Sequence, residues 1–224
     1  MPLVTTLYRL AKHAVDAAPP WLLRVRPYGV YSISLGGRAD DNATPAPPTG
    51  ARWAKSRAEV QRLSRVASRV NLDRWDGESC RVAYAVDGDG TPVGAAWIDT
   101  GRFAEPELGV AIDLSTTEAW LHSAYVRPEH RRVGVYTRML SLVRDTSSAE
   151  GLERLLLGVT LGNTPSRVAH EQNGAERVGR LLAARVVGVR AASLTGGVTT
   201  QSGKRLRIAR RDITLRVHAG SQET

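Results

Sequence analysis

The stretch from residue 118 to residue 175 constrains the fold more than any other part of this sequence. Its hydrophobic pattern predicts, in chain order, strand 118–126, loop 127–134, helix 135–148 and strand 153–161. A second helix follows in the segment NTPSRVAHEQNGA, where Pro165 suits a first helical turn and Gly174 suits a helix C-terminus. Strands that alternate with helices in this way predict a mixed α/β domain.

Further elements are predicted on both sides of this stretch. The segment YGVYSISL at 28–35 has strand composition, and Ser56 with Glu59 forms a capping box that predicts the start of a helix. That helix would have one apolar face, formed by Val60, Leu63, Val66, Ala67 and Val70. The segment CRVAYAVDGDGTPVGAAWID predicts a β-hairpin around DGDG. A further strand is expected at about 107–113, and two or more strands are expected over 175–218.

The sequence divides into one domain and two flanking pieces. Apolar residues at helical spacing predict an N-terminal helical extension over residues 1–27, followed by a domain over 28–218 and a disordered tail over 219–224. Residues 36–50, GGRADDNATPAPPTG, are nearly all Gly, Pro, Ala and small polar residues, so they predict a flexible linker or long loop within the domain.

The net charge of +9 is concentrated near the C-terminus. Residues 51–176 contain 16 basic and 17 acidic side chains, whereas residues 177–218 contain 10 basic and 1 acidic. Only three of the 31 basic residues are lysine, so the arginine content is better explained by codon composition than by phosphate binding. Binding of nucleic acid or another polyanion by the C-terminal segment stays open as an alternative, although no known nucleic-acid-binding motif supports it.

The single cysteine, Cys80, excludes an intramolecular disulfide and zinc clusters of the CxxC type, so we predict no metal site. Cys80 also lies in a predicted strand without a clear His or Asn partner, so it is not interpreted as a nucleophile. Charged residues interrupt the N-terminal segment, and no run of about 18 apolar residues occurs. We therefore expect a cytoplasmic protein without a membrane span.

The loop between strand 118–126 and helix 135–148 has the features of an anion site. The first turn of a helix leaves backbone N–H groups unpaired and carries a partial positive charge. Gly134 allows a ligand to approach the backbone closely, and Arg131 and Arg132 add positive charge beside it. An ordinary strand-to-helix turn that is rich in arginine would have a similar sequence. The spacing of the residues therefore has to distinguish an anion site from such a turn.

The spacing of VRPEHRRVGVY fits the pattern VxPxxRxxGxG/A, with four residues in register: Val126, Pro128, Arg131 and Gly134. This pattern resembles the pyrophosphate-binding signature of the Gcn5-related N-acetyltransferases (GNAT), with Tyr136 in place of the second small residue. About 30 residues further on, NTPSRVAHEQNGA resembles the second signature of that family, with these residues in place: Asn163, Ser166, Glu171 and Gly174. Ala175 stands where an aromatic residue is usual.

The resemblance implies a GNAT fold, which is a central mixed, mostly antiparallel, twisted sheet of six or seven strands flanked by about four helices. The strand that ends at Val126 would splay from the parallel strand 153–161 and open a V-shaped cleft for acetyl-CoA, the acyl donor. The residues implied to bind acetyl-CoA are Ala124, Tyr125, Val126, Arg131, Arg132, Val133, Gly134, Val135, Tyr136, Asn163 and Ser166.

The resemblance also implies direct transfer of the acetyl group to a primary amine, which needs a base for the amine and an acid for the leaving thiolate. His170 stands where the family usually has a tyrosine acid, and its imidazolium form could donate a proton. Strand alternation puts Glu118, Trp120 and His122 on one face, so His122 or Glu118 would be the base. Each of these residues can instead have an ordinary structural role, and Trp120 can form a wall of the acceptor pocket or pack in the core.

Several alternatives stay open at the level of sequence. The acceptor is unknown, with a small molecule or an amino sugar as candidates. Because Tyr136, His170 and Ala175 depart from the family pattern, the domain could bind acyl-CoA without turning it over. The N-terminal helix and the C-terminal segment could also pair protomers in a homodimer.

Overall fold

The computed structural model describes residues 23–36, 50–105 and 108–218. The strands are β1 Leu23–Ser34, β2 Ala51–Trp53, β3 Cys80–Val86, β4 Pro92–Thr100, β5 Arg102–Glu105, β6 Val110–Asp113, β7 Glu118–Val126, β8 Arg154–Thr160, β9 Glu176–Val186, β10 Val189–Gly196, β11 Val198–Thr200, β12 Leu206–Ala209 and β13 Ile213–Val217. The helices are α1 Arg57–Arg62, α2 Arg69–Arg74, α3 Val135–Ala149 and α4 Thr164–Glu171, and two 3-10 turns lie at Leu63–Arg65 and Pro128–His130.

Nine strands form a large sheet in the order β12-β10-β9-β1-β8-β7-β4-β3-β2, and four form a smaller sheet in the order β11-β13-β6-β5. In the large sheet, as far as the chain is described, β7 and β8 are the one parallel pair, and the other neighbours are antiparallel. The predicted mixed, mostly antiparallel α/β sheet is thereby confirmed, but it is larger than the six or seven strands that we expected.

The two faces of the large sheet are covered by different elements. Helix α3 covers one face because its apolar residues recur at helical spacing, and it buries Val135, Met139, Leu140 and Val143 in the core. On the other face, α1 packs on β3 and β4, whereas the smaller sheet packs on β1, β8 and β9. The strand β7 lies between these layers, so alternate side chains of β7 reach opposite cores.

The helix predicted after residue 56 begins as expected but is interrupted. Ser56 Oγ accepts a hydrogen bond from the Glu59 amide at 3.3 Å, which caps α1. Ser68 Oγ accepts from the Asn71 amide at 3.3 Å and starts a separate helix, α2. This second cap competes with a continuous helix, and Val70, predicted on the apolar face, is 59% exposed.

The boundaries of the domain also differ from the prediction. Strand β1 begins at Leu23, so residues 23–27, which the sequence assigns to a helical extension, belong to a strand in the middle of the large sheet. Residues 1–22, most of the predicted linker 36–50 and the tail 219–224 lie outside the described residues. In the described part of the chain, no helix has the length and apolar character needed to cross a membrane.

Candidate functional site

Strands β7 and β8 are paired over only part of their length. They pair in parallel from Glu118 to Leu121 and from Arg154 to Leu157, and no pairing joins the remaining residues of the two strands. Over the same unpaired stretch β7 bulges against β4, because the register shifts between residues 95 and 97, and Ser123 has a φ of +48°. The result is a gap in the sheet, and residues 123–125 on its β7 side are exposed.

The loop that follows β7 leads directly into the unpaired first turn of α3. Gly134 is the N-cap residue with a φ of +77°, and no side chain caps this helix. Arg131 Nε donates to the Val126 carbonyl at 2.9 Å, and Arg138 donates to the Val133 carbonyl at 3.0 Å, which fixes the loop. Residues 131–134 are exposed, and the first turn contains no acidic residue, so the backbone amides and arginines together can hold an anion.

The other predicted acetyl-CoA residues lie at the start of α4. Asn163 Oδ1 accepts a hydrogen bond from the Ser166 amide at 3.3 Å, so Asn163 is the N-cap of this helix. Asn163 also lines a cavity of about 470 Å³ together with Arg167 and Arg177. This cavity does not include the loop before α3, so the predicted acetyl-CoA residues form two separate groups.

A direct contact between Tyr136 and His170 joins α3 to α4. The Tyr136 hydroxyl lies 2.6 Å from His170 Nδ1, and the two rings meet edge to face. Burial lowers the pKa of His170 to about 4 and raises the pKa of Tyr136, so near pH 7 the imidazole is neutral and the phenol donates to it. The imidazolium form that the sequence suggested for His170 is therefore not its resting state.

His122 faces a buried carboxylate. Its Nε2 lies 3.4 Å from Asp99 Oδ1, its Nδ1 lies 3.1 Å from Ser123 Oγ, and Asp99 is also paired with Arg74. Burial alone would raise the pKa of Asp99, but the hydrogen bond and charge of His122, the Cys80 thiol and Arg74 outweigh it and lower that pKa. Asp99 is 1% exposed and ionised, so it orients the imidazole of His122.

His122 also lines a cavity of about 200 Å³ between the divergent strands and the smaller sheet. Phe103 closes over it, with its ring 4.9 Å from the imidazole and 5.3 Å from Trp120, on which it stacks. Trp120 packs in the core, as one of its two interpretations has it, and also forms part of the wall of this cavity.

The three predicted catalytic residues are not brought together. Glu118 is 4% exposed at the paired end of β7, where its carboxylate accepts from Arg154 at 2.7 Å and from the Ser115 amide at 3.0 Å. Neither Glu118 nor His170 lines the cavity beside His122. His122 lies four positions after Glu118 along the strand, a distance of roughly 13 Å between the two backbone positions.

Sequence reasoning missed two residues of this site, Asp99 and Phe103. Asp99 could have been found, since it is the one charged residue in the apolar strand Pro92–Thr100. Phe103 carries no such signal, because its place depends on how the smaller sheet packs. Cys80 lies beside Asp99, and burial and that carboxylate raise the pKa of its thiol, so it stays protonated and is a poor nucleophile.

Comparison with known proteins gives one family. The model of the acetyltransferase (GNAT) family matches residues 51–175, which is more than half of the chain. A comparison with curated proteins found no match.

Several solved structures resemble this chain, including three that are described as acetyltransferases. A protein assigned to the GNAT family from Novosphingobium aromaticivorans superposes with a TM-score of 0.49 at 18% identity over 75% of this chain and 68% of its own. A GCN5-related N-acetyltransferase from Sphaerobacter thermophilus gives 0.47 at 20% identity, over 80% and 55%. An aminoglycoside N-acetyltransferase in complex with CoA gives 0.45 at 18% identity, over 57% and 91%. This chain thus spans little more than half of the Sphaerobacter protein.

Proposed function

The chain belongs to the GNAT acetyltransferase family, and from this premise we propose that it transfers an acetyl group from acetyl-CoA to a primary amine. The observation that carries the proposal is the gap between β7 and β8, which lies beside the uncapped first turn of α3. If acetyl-CoA bound in this gap, its pyrophosphate would be within reach of the unpaired backbone amides of α3. Its thioester carbonyl would then lie near the residues that face the gap.

The acetyl-CoA residues have distinct roles in this proposal. The backbone of Ala124 to Val126 is not paired with β8, so it would pair with the pantetheine arm, except at the Val126 carbonyl, which accepts from Arg131. The amides from Arg131 to Tyr136 would bind the pyrophosphate. Asn163 and Ser166 would act indirectly, because their hydrogen bond fixes the start of α4, the helix that carries His170.

The chemistry is direct transfer. The amine nitrogen attacks the thioester carbonyl carbon, a base takes one proton from the nitrogen, the C–S bond breaks, and CoA leaves as a thiol after gaining a proton. We assign the base to His122, since it is oriented by Asp99 and lines a cavity. The proton would reach Nδ1 directly or through the Ser123 hydroxyl, 3.1 Å away.

His170 would assist the leaving sulfur as a neutral hydrogen-bond donor. Tyr136 donates to Nδ1, so the proton of the imidazole is on Nε2, and among the described residues Nε2 has no hydrogen-bond partner. An N–H group of this kind can stabilise a developing thiolate without transferring its proton in full. Glu118 is not assigned a chemical step, because its carboxylate is held by Arg154.

Three further points belong to this proposal. A cytoplasmic location fits the single cysteine, Cys80, which is buried and free. Pairing of protomers in a homodimer stays a prediction, to be tested by light scattering. Binding of a polyanion by the basic C-terminal segment also stays a prediction, and it requires steeply salt-dependent retention on heparin.

Two measurements test the proposed function. Acetyl-CoA and CoA should each raise the melting temperature of the protein, because a ligand that binds only the folded state stabilises it. A coupled assay should then detect free thiol that depends on both acetyl-CoA and an amine. Binding without amine-dependent thiol release would identify a non-catalytic acyl-CoA-binding module, and the lack of binding would refute both.

A further inference from the structure

We propose that the acceptor is a primary amine on a compact apolar group, about the size of one aromatic ring, which binds in the cavity beside His122. The inference rests on the proposed transferase activity and adds the class of substrate. It is argued from the lining, the size and the charge of the cavity.

The lining of the cavity is mainly apolar. Four polar residues, Tyr28, Glu105, His122 and Ser123, face it, and the remaining side chains are aliphatic or aromatic. The apolar wall comes from the smaller sheet on one side and from the large sheet on the other, with Leu108, Val110, Ile112, Val30, Trp120 and Leu181 as its main residues. Burial of a hydrocarbon group against such a wall is favourable, whereas burial of hydroxyls without partners is costly.

The size of the cavity limits the acceptor. A cavity of about 150 Å³ is enough to hold benzene. At about 200 Å³, this cavity has room for one ring and a short aminoalkyl arm. A sugar amine of similar size would leave several hydroxyls without hydrogen bonds, which argues against the amino sugar considered from the sequence.

The charge of the cavity favours a cation over an anion. Among the described residues that line it there is no lysine or arginine, and Glu105 is the one carboxylate. The ionised Asp99 behind His122 is already paired with Arg74, so it adds no net charge to the cavity. A carboxylate or phosphate on the acceptor would therefore have no cationic partner in this lining, whereas an ammonium group would meet no like charge there.

The position of His122 identifies the amine rather than the acyl chain as the occupant. A general base has to lie within hydrogen-bond reach of the proton that it removes, or one bridging group away. His122 and Ser123 line the cavity, so an amine bound there meets the base. An acyl chain in the same place would separate the base from its substrate.

The first experiment compares amines in the thiol-release assay. We expect kcat/KM for benzylamine, 2-phenylethylamine and cyclohexylmethylamine to exceed that for glucosamine, lysine and spermidine by about 100-fold, because the apolar group gains burial and the polar ones lose hydrogen bonds. A preference for the polar amines overturns this inference and leaves the transferase activity intact. If the protein binds acetyl-CoA but acetylates none of these amines, the result counts against the proposed function itself.

The second experiment narrows the cavity. A Cβ at Gly158 would lie 3.2 Å from Trp120 Cζ2 and 3.7 Å from Tyr28 Cδ1, so Gly158→Ala places a methyl group in the wall. We expect the KM for benzylamine to rise about tenfold, while the KM for acetyl-CoA changes less than twofold. Gly88→Ala is the matched control, since a Cβ there meets nothing within 4 Å.

The third experiment widens the cavity. Phe103→Ala should allow acetylation of a two-ring amine such as 1-naphthylmethylamine, which the unchanged protein should exclude. If Gly158→Ala and Phe103→Ala alter the preferred length of the acyl chain and leave the amine preference unchanged, the cavity binds the acyl group and the inference is wrong. Melting temperatures of both variants, with and without CoA, show whether they fold.

Discussion

The Tyr136 hydroxyl donates a hydrogen bond to His170 Nδ1 at 2.6 Å, so two of the three residues that depart from the family signatures are in direct contact. Tyr136 stands where the first signature prefers a small residue, and His170 stands where the second usually has a tyrosine. These two departures thus form one structural unit, in which the buried phenol donates a hydrogen bond to the buried imidazole. Each of the two side chains therefore supplies the buried hydrogen-bond partner of the other.

Loss of the Tyr136 hydroxyl should destabilise the protein. We expect Tyr136→Phe to lower the free energy of unfolding by about 1–3 kcal/mol, because His170 Nδ1 would be buried without a donor. Denaturant unfolding measures the change. Tyr84→Phe serves as the control, since the hydroxyl of the buried Tyr84 has no hydrogen bond among the described residues and its loss should change stability little. Equal effects of the two substitutions would show that the hydrogen bond contributes nothing.

The stability of the protein should depend on the protonation of His170. Its pKa is about 4 in the folded state and about 6.5 in the unfolded state, so between these values the unfolded state binds more protons. Stability from this group is therefore complete above pH 6.5 and falls as the pH drops towards 4, by about 3 kcal/mol at most. The melting temperature of the wild type should fall more steeply over pH 6.5 to 4 than that of His170→Gln. Parallel curves would contradict the assigned burial effect.

Local sequence signals were reliable where a segment determines its own structure. The predicted strand 118–126 coincides with β7, and the predicted helix 135–148 ends one residue before α3 does. Both follow from periodicity and from Gly134, whose φ of +77° suits a chain reversal before a helix. The fold class and the family could likewise be predicted, since both signatures are local segments of sequence, about 30 residues apart with one strand between them.

Features that depend on distant contacts could not be predicted. The insertion of β1 between β8 and β9 and the packing of the smaller sheet are properties of topology, on which local pattern gives no information. The cavity beside His122 arises from that packing, so neither its size nor Phe103 was foreseen. The interruption of the first helix at Ser68 shows the opposite case, in which a local cap overrides a periodic pattern.

Substitutions of His122 and Glu118 distinguish between the two residues as candidate bases, because they should affect kcat and stability differently. We expect His122→Ala to lower kcat by about 100-fold or more, because it removes the base. Glu118→Gln should lower stability, since it leaves Arg154 without its partner carboxylate, but should change kcat less than twofold. Steady-state kinetics and denaturant unfolding of both variants decide the matter, and a large loss of kcat in Glu118→Gln alone would transfer the role to Glu118.

Asp99 should act as a positioning residue for His122. We expect Asp99→Asn to lower kcat by roughly 10- to 100-fold, because the amide no longer fixes the tautomer of the imidazole, while the KM for acetyl-CoA stays within twofold. Arg74→Gln is the comparison, since it removes the cationic partner of Asp99 but leaves the carboxylate beside His122. A loss of kcat that is equally large in Arg74→Gln would indicate general destabilisation instead of positioning.

The loop before α3 offers the sharpest test of acetyl-CoA binding, because the chain contains a matched control glycine. Gly134→Glu would introduce a carboxylate at the N-terminal end of α3, where the proposed pyrophosphate binds. Gly151 has a φ of +83°, close to the +77° of Gly134, and lies just beyond the C-terminal end of α3, so Gly151→Glu carries a similar backbone strain and the same change of charge. We expect Gly134→Glu to weaken CoA binding by at least about 100-fold in calorimetry, and Gly151→Glu to weaken it less than threefold. Similar affinities in the two variants would mean that CoA does not bind at this helix, whatever the stability of either protein.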